Sequence, residues 1–224
     1  MSVALAGIGL VAVAAVLAVS QLNDAERHRQ LAAAGEQALA AGKAYQAQRR
    51  YDDAARDFRE AARLQPGAID PLLALATLSE TRGDTAGAAE WYAQAAAIDR
   101  QSPTLLYRLA LTRYRSGQAA AAIDPLRQAI ALDAGFDEAL YLLGVALRDT
   151  QDPAGAVDAL ERAVRANPGL APAREELADL YHALRRSADE MTQLTALASL
   201  SPGRDRDIAI ALAQARRGEF DSAE

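Results

Sequence analysis

The chain has 224 residues, a net charge of −6 and a pI near 5.1. That balance argues against nucleic-acid binding, which needs a basic face towards the phosphates. There is no cysteine, so disulfides, thiolate zinc sites and cysteine nucleophiles are excluded.

The N-terminal stretch is apolar without interruption. Val3 to Val19 holds no charged or polar residue, and Ser2 to Leu22 amounts to 21 residues. As a helix this stretch is roughly 31 Å long, the thickness of a hydrocarbon core. Residues 1–22 are therefore expected to be a single transmembrane anchor. A cleaved signal peptide is the alternative, because Ala18-Val19-Ser20 offers a small-x-small site; against it stand the long apolar run and the missing basic start. Residues 23–34 are expected to form a helical linker beside the membrane. Arg27 and Arg29 would, by the positive-inside rule, hold the remainder in the cytoplasm.

From residue 35 onward the chain repeats itself. Ala54, Ala88, Ala122 and Ala156 stand 34 residues apart, and Ala61, Ala95, Ala129 and Ala163 keep the same step. A fixed period of this length marks one small unit used again and again. Leu75, Leu109, Leu143 and Leu177 follow the same step, each trailed by a small residue: Ala76, Ala110, Gly144 and Ala178. In the first unit Ala41 and Gly42 take these places. A bulky apolar position recurs at Phe58, Tyr92, Leu126, Leu160 and Leu194. Pro66, Pro168 and Pro202 close three of the units, where proline stops a helix.

Within a unit the spacing is helical. Leu140, Leu143, Gly144 and Leu147 form one stripe. Asp152 then caps, and Pro153 starts, a second helix carrying Ala156, Val157, Leu160, Ala163 and Val164. Gly83-Asp84 and Gly117-Gln118 mark the same turn in other units. Pro125 falls inside a second helix, where it is expected to remove a hydrogen bond and kink it.

These residues resemble the tetratricopeptide repeat family. Gly42, Tyr45, Ala54, Phe58, Ala61 and Pro66 occupy the family's small, aromatic, alanine, large apolar, alanine and proline positions. The family's tryptophan is replaced by Ala38, Leu72, Leu106, Leu140 and Arg174. The resemblance implies an all-α fold, a right-handed αα-superhelix after one transmembrane helix. Five units are expected at 35–68, 69–102, 103–136, 137–170 and 171–203, with part of a sixth at 204–224. Glu190 and Leu197 replace the two alanines of the fifth unit, so its helix pair is expected to be splayed or shifted. Anchored bacterial proteins of this kind usually hold their repeats outside the cytoplasm. That opposes the positive-inside reading, and an extracytoplasmic, periplasmic placement is preferred.

No catalytic constellation is present. His28 and His182 lie far apart, outside any metal-spaced cluster. Paired acids such as Asp52-Asp53 and Glu175-Glu176 suit helix starts. Neither a phosphate loop nor a nucleophile elbow appears. No enzyme activity, cofactor or metal is expected.

The resemblance also implies that the first helix of each unit lines a concave face. On it the third and fourth units place Tyr107, Leu111, Tyr114, Tyr141 and Val145, with Arg108, Arg115 and Arg148 beside them. Tyrosine and arginine around an apolar centre make the composition of a binding hot spot. A peptide or helix from a partner protein is the expected ligand; packing of the tyrosines on the neighbouring helix is the competing account. The carboxylate clamp of chaperone-tail binders is not matched, since of Leu39, Lys43, Ala74, Thr104 and Arg108 only Arg108 fits. The chain thus reads as a non-catalytic, membrane-tethered interaction scaffold. Alternatively it is the docking part of a larger enzyme continuing past Glu224, or it stacks end to end into homo-oligomers.

Overall fold

A computed structural model describes residues 2–200 together with Ala211 and Ala215, with side chains from Asn23 onward. The expected sixth unit at 204–224 therefore lies outside the described residues, apart from Ala211 and Ala215. So do the side chains of the expected membrane segment, residues 2–22. Among the described residues no helix is long and apolar enough to cross a membrane.

The described residues form ten helices and no strand: α1 (Ser2–Ala47), α2 (Tyr51–Leu64), α3 (Asp70–Thr81), α4 (Thr85–Ile98), α5 (Pro103–Arg115), α6 (Ala119–Leu132), α7 (Asp137–Asp149), α8 (Pro153–Ala166), α9 (Ala171–Ala183) and α10 (Ser187–Leu200). They fall into two compact units, one ending at Gly83 and the other beginning at Asp84.

In the first unit α1 packs on α2 and α2 on α3. Helix α1 runs without a break through the expected linker. The Gln65 side chain donates to the Ala32 carbonyl at 2.5 Å, tying residues 23–34 to the end of α2. The α1–α2 contact turns on Gly42. A Cβ at that position would stand 2.5 Å from the ring of Phe58, which is wholly buried. Ala54 and Ala61, on the same side of α2, are also wholly buried.

In the second unit α4 to α10 pack in sequence, each on the next, and α7 also touches α5. The same close approach recurs at Gly144, where an added Cβ would meet Leu160 Cγ at 2.5 Å and the Ala156 carbonyl oxygen at 3.3 Å. Ala88, Ala95, Ala122, Ala129, Ala156 and Ala163 have no exposed surface. Small side chains at helix crossings let the backbones approach, and interdigitation then fills the space.

The helix ends follow from local chemistry. The carboxylates of Asp84 and Asp152 each accept from a backbone N–H three residues on, at 2.9 Å, and Ser102 does the same for Leu105 at 3.3 Å. The first helices end in a left-handed residue, and after four of these, at Arg49, Gly117, Gln151 and Arg185, the next N–H returns to a carbonyl five residues back. Gln118 reaches Arg113 at 2.9 Å, and Asp152 reaches Leu147 at 2.8 Å. This left-handed place falls on Gly83 (φ 77°) and Gly117 (φ 81°), but also on Arg49 (φ 60°), Gln151 (φ 64°) and Arg185 (φ 57°).

Pro125 sits inside a continuous α6. The carbonyl it leaves without an N–H partner is that of Ala121, and Arg113 Nη1 of α5 donates to it at 3.1 Å. The last pair departs from the pattern as expected. In α10 Leu194 and Leu197 are only half-buried, while Ala198 is 1% exposed. Glu190 is 2% exposed, and its Oε2 lies 3.3 Å from His182 Nδ1 on α9. Glu190 keeps the buried place of the first alanine, while the second passes from Leu197, which is too large for the close contact, to Ala198.

Two substitutions in one helix pair should act in opposite directions. Gly144→Val forces side-chain atoms into filled space and should lower unfolding free energy by about 2–3 kcal/mol. Gln151→Gly relieves a left-handed side chain, worth about 1–2 kcal/mol, against the chain entropy of glycine, and should raise it by about 0.5–1 kcal/mol. Urea denaturation followed by circular dichroism measures both.

Candidate functional site

The residues expected to bind a partner all belong to the second unit, on α5 and α7. They do not share one environment. Helix α7 packs against α5, α6 and α8, and every residue from Ala139 to Leu147 except Tyr141 is buried. Val145 is therefore part of the core at 7% exposure rather than part of an open face. Tyr107, Leu111, Tyr114 and Tyr141 are half-buried, and Arg115 is exposed.

Three first helices are joined by a polar chain. Tyr114 of α5 donates its hydroxyl to Asp149 Oδ2 of α7 at 2.7 Å. Arg148 donates from Nε and Nη2 to Asp149 Oδ1, at 3.1 and 2.9 Å. Its Nη1 donates to Glu176 of α9. The bonds run directly from α5 through α7 to α9, which sets the first-helix faces side by side. Tyr107 packs its ring against Phe136, with centroids 5.1 Å apart and planes at 49°.

Arg108 points elsewhere. Its Nη1 donates to the Tyr92 hydroxyl at 3.1 Å, and its guanidinium lies 5.9 Å from that ring. Tyr92 is wholly buried in α4, and a buried hydroxyl needs a partner. That need draws Arg108 away from the expected patch.

The electrostatics follow this geometry. Burial raises the hydroxyl pKa of Tyr107, and the Glu138 carboxylate raises it further. Tyr114 is raised by burial and then by its bond to Asp149. Tyr141 is raised by burial and then by Glu176. Burial works against charge on Asp149, but the bonds from Tyr114 and Arg148 outweigh it and hold the carboxyl below its usual value. Burial likewise opposes charge on Arg148, and the hydrogen bonds to Glu176 and Asp149 overcome it.

Phe136, Asp149 and Glu176 did not stand out in the sequence. Asp149 falls on an inward register position of the fourth unit, and Glu176, expected at a helix start, lies instead beyond the first turn of α9. His28 is exposed, and His182 pairs with Glu190 as described. Among the described residues no group of acidic or histidine side chains is arranged to hold a metal ion.

The described helices thus define an all-α helical-repeat protein with an aromatic, carboxylate-bordered face on its first helices. A tetratricopeptide repeat profile matches residues 39–103, 107–171 and 151–205, most of the chain, and the protein belongs to that family. No curated protein matches it in sequence. Among solved structures it resembles MamA, with TM-score 0.68 and 21% identity over 75% of this chain and 91% of that one. It also resembles YrrB, with TM-score 0.65 and 15% identity over 79% and 90%. For PilF of Pseudomonas aeruginosa the values are 0.61 and 22%, over 86% and 90%. At such identities the likeness is one of fold.

The lowered Asp149 fixes a pH dependence. A carboxylate depressed in the folded state contributes stability above its unfolded value, ordinarily 3.8, and loses it as the pH falls through the folded one. The difference in melting temperature between wild type and Asp149→Asn should stay constant from about pH 7 to about pH 5 and vanish in stronger acid. A difference that grows on acidification contradicts the Tyr114–Asp149 bond.

Proposed function

We propose that the protein is a non-catalytic scaffold that holds a segment of a partner protein against the first helices of its second unit. The observation that carries this reading is the row of half-buried tyrosines, Tyr107, Tyr114 and Tyr141, on α5 and α7. Each keeps part of its surface in solvent, while the close crossings at Gly42 and Gly144 are formed by other residues. Tyrosine supplies large contact area with few rotatable bonds, which suits a binding centre. The competing account, that the tyrosines only pack, explains Tyr107 on Phe136 but gives Tyr141 no ring partner among the described residues. YrrB, of similar fold, is a TPR protein with an unusual peptide-binding site, which supports peptide recognition for a chain of this architecture. The binding residues proposed are Tyr107, Leu111, Tyr114, Arg115, Tyr141 and Arg148.

The scaffold is further proposed to be tethered to a membrane through residues 2–22, with the repeats outside the cytoplasm. The uninterrupted apolar run from Val3 to Val19 supports the tether. Sedimentation of the full chain with membranes, and its release by detergent but not by carbonate, would test it.

Replacing Tyr107, Tyr114 and Tyr141 together by alanine should weaken partner binding at least tenfold. The cost in melting temperature should be small. Pull-down from detergent-solubilised membranes with wild type and variant, alongside thermal melts, measures both. Unchanged binding with a large loss of melting temperature rejects the site.

A further inference from the structure

The sequence pattern suggests a face rich in arginine. Across α5, α7 and α9 the formal balance has the opposite sign, five arginines against six aspartates and glutamates. On α5, α7 and α9, Arg108 is engaged with Tyr92, and Arg148 with Glu176 and Asp149. Arg113 is held at the Ala121 carbonyl, and Arg174 at the Pro168 carbonyl and Gln193. Apart from those of Arg148 these partners are uncharged, so the guanidinium charges persist, and Arg108 and Arg115 are the exposed cations of these helices. Against them stand Glu138, Glu175 and Asp179, all exposed and making no salt bridge among the described residues, with Glu138 hydrogen-bonded to Asp137.

Their placement matters more than their number. Tyr107, Tyr141 and Glu175 occupy the same place in three successive units, so they form one row across α5, α7 and α9. Glu138 acts on Tyr107 more strongly than the opposing Arg115, and Glu176 and Glu175 act on Tyr141 against Arg148. Each half-exposed ring therefore has a carboxylate in its field. A tyrosine face attracts cations through its quadrupole, and a nearby carboxylate adds to that attraction. An acidic segment would find two exposed cations, Arg108 and Arg115, and would face the exposed Glu138, Glu175 and Asp179.

We propose that the tyrosine face on α5, α7 and α9 binds a basic peptide segment, its lysine or arginine side chains lying against Tyr107 and Tyr141 and pairing with Glu138 and Glu175. The inference rests on the groove reading above and adds the chemistry of the occupant. Charge complementarity of this kind sets partner choice and association rate, and weakens with salt.

A random dodecamer peptide library, selected against the immobilised full chain in detergent, tests both levels. Enriched peptides are then labelled and titrated by fluorescence anisotropy against three proteins. These are wild type, the Glu138→Gln/Glu175→Gln double variant and the Tyr107→Ala/Tyr141→Ala double variant, each checked for folding by circular dichroism. The expected pool carries net positive charge. Its binding should fall about three- to tenfold in the glutamine variant, and further in the alanine variant. Raising salt from about 0.05 to 0.3 M should weaken wild-type binding by a similar factor. A neutral or acidic pool that still depends on the tyrosines overturns the basic occupant and leaves the groove standing. A pool bound equally by the alanine variant overturns the groove itself. Failure to enrich any peptide overturns both.

Discussion

At Gly144 there is no room for one more carbon atom. The space that a Cβ would fill belongs to Leu160, which has no exposed surface of its own, with the Ala156 carbonyl just behind. The first unit solves the same contact with Gly42 and Phe58. A large apolar side chain on one helix enters the gap left by a missing one on its partner, and the backbones close around it. Dispersion and burial both depend on that fit, since a void or a clash at one crossing is not relaxed by its neighbours. The polar features of the chain are arranged around these crossings.

The polar groups show the same economy. Tyr92 is wholly buried, yet its hydroxyl is met by Arg108. Pro125 deprives Ala121 of an amide partner, and Arg113 from the preceding helix supplies a donor. Tyr181, 3% exposed, donates to Glu161 at 2.7 Å. No buried side-chain polar atom is left without a partner among the described residues. Arginines that read from sequence as surface recognition elements are thereby drawn into structural service. What remains outward is the aromatic edge and the carboxylates, with Arg108 and Arg115 among them.

Much of the fold was legible because small residues at a constant step have one physical use. Alanines at 54, 88, 122 and 156 announce helix crossings without any knowledge of long-range contacts. The turn was legible where glycine marked it, at Gly83 and Gly117. It was hidden at Arg49, Gln151 and Arg185, where side-chain identity gives no hint of a positive φ and only the period does. The site was less legible. Register placed Tyr107, Tyr114 and Tyr141 on one side of their helices, but it could not say where a long side chain ends. Arg108 and Arg148 each reach a partner on another helix, 16 and 28 residues distant in sequence. Val145 occupies an inward register position, yet α7 is covered nearly all round, so register overstated its exposure.

The chain of bonds from Tyr114 through Asp149 and Arg148 to Glu176 has a consequence for recognition. Four side chains that would otherwise sample many rotamers are held in one arrangement before anything arrives. Under the proposed reading, an incoming segment would meet a surface whose shape is already set, so little of the interaction energy would be lost to freezing the receptor. Such rigidity also sharpens discrimination: a ligand of the wrong contour finds side chains that cannot swing aside to accommodate it.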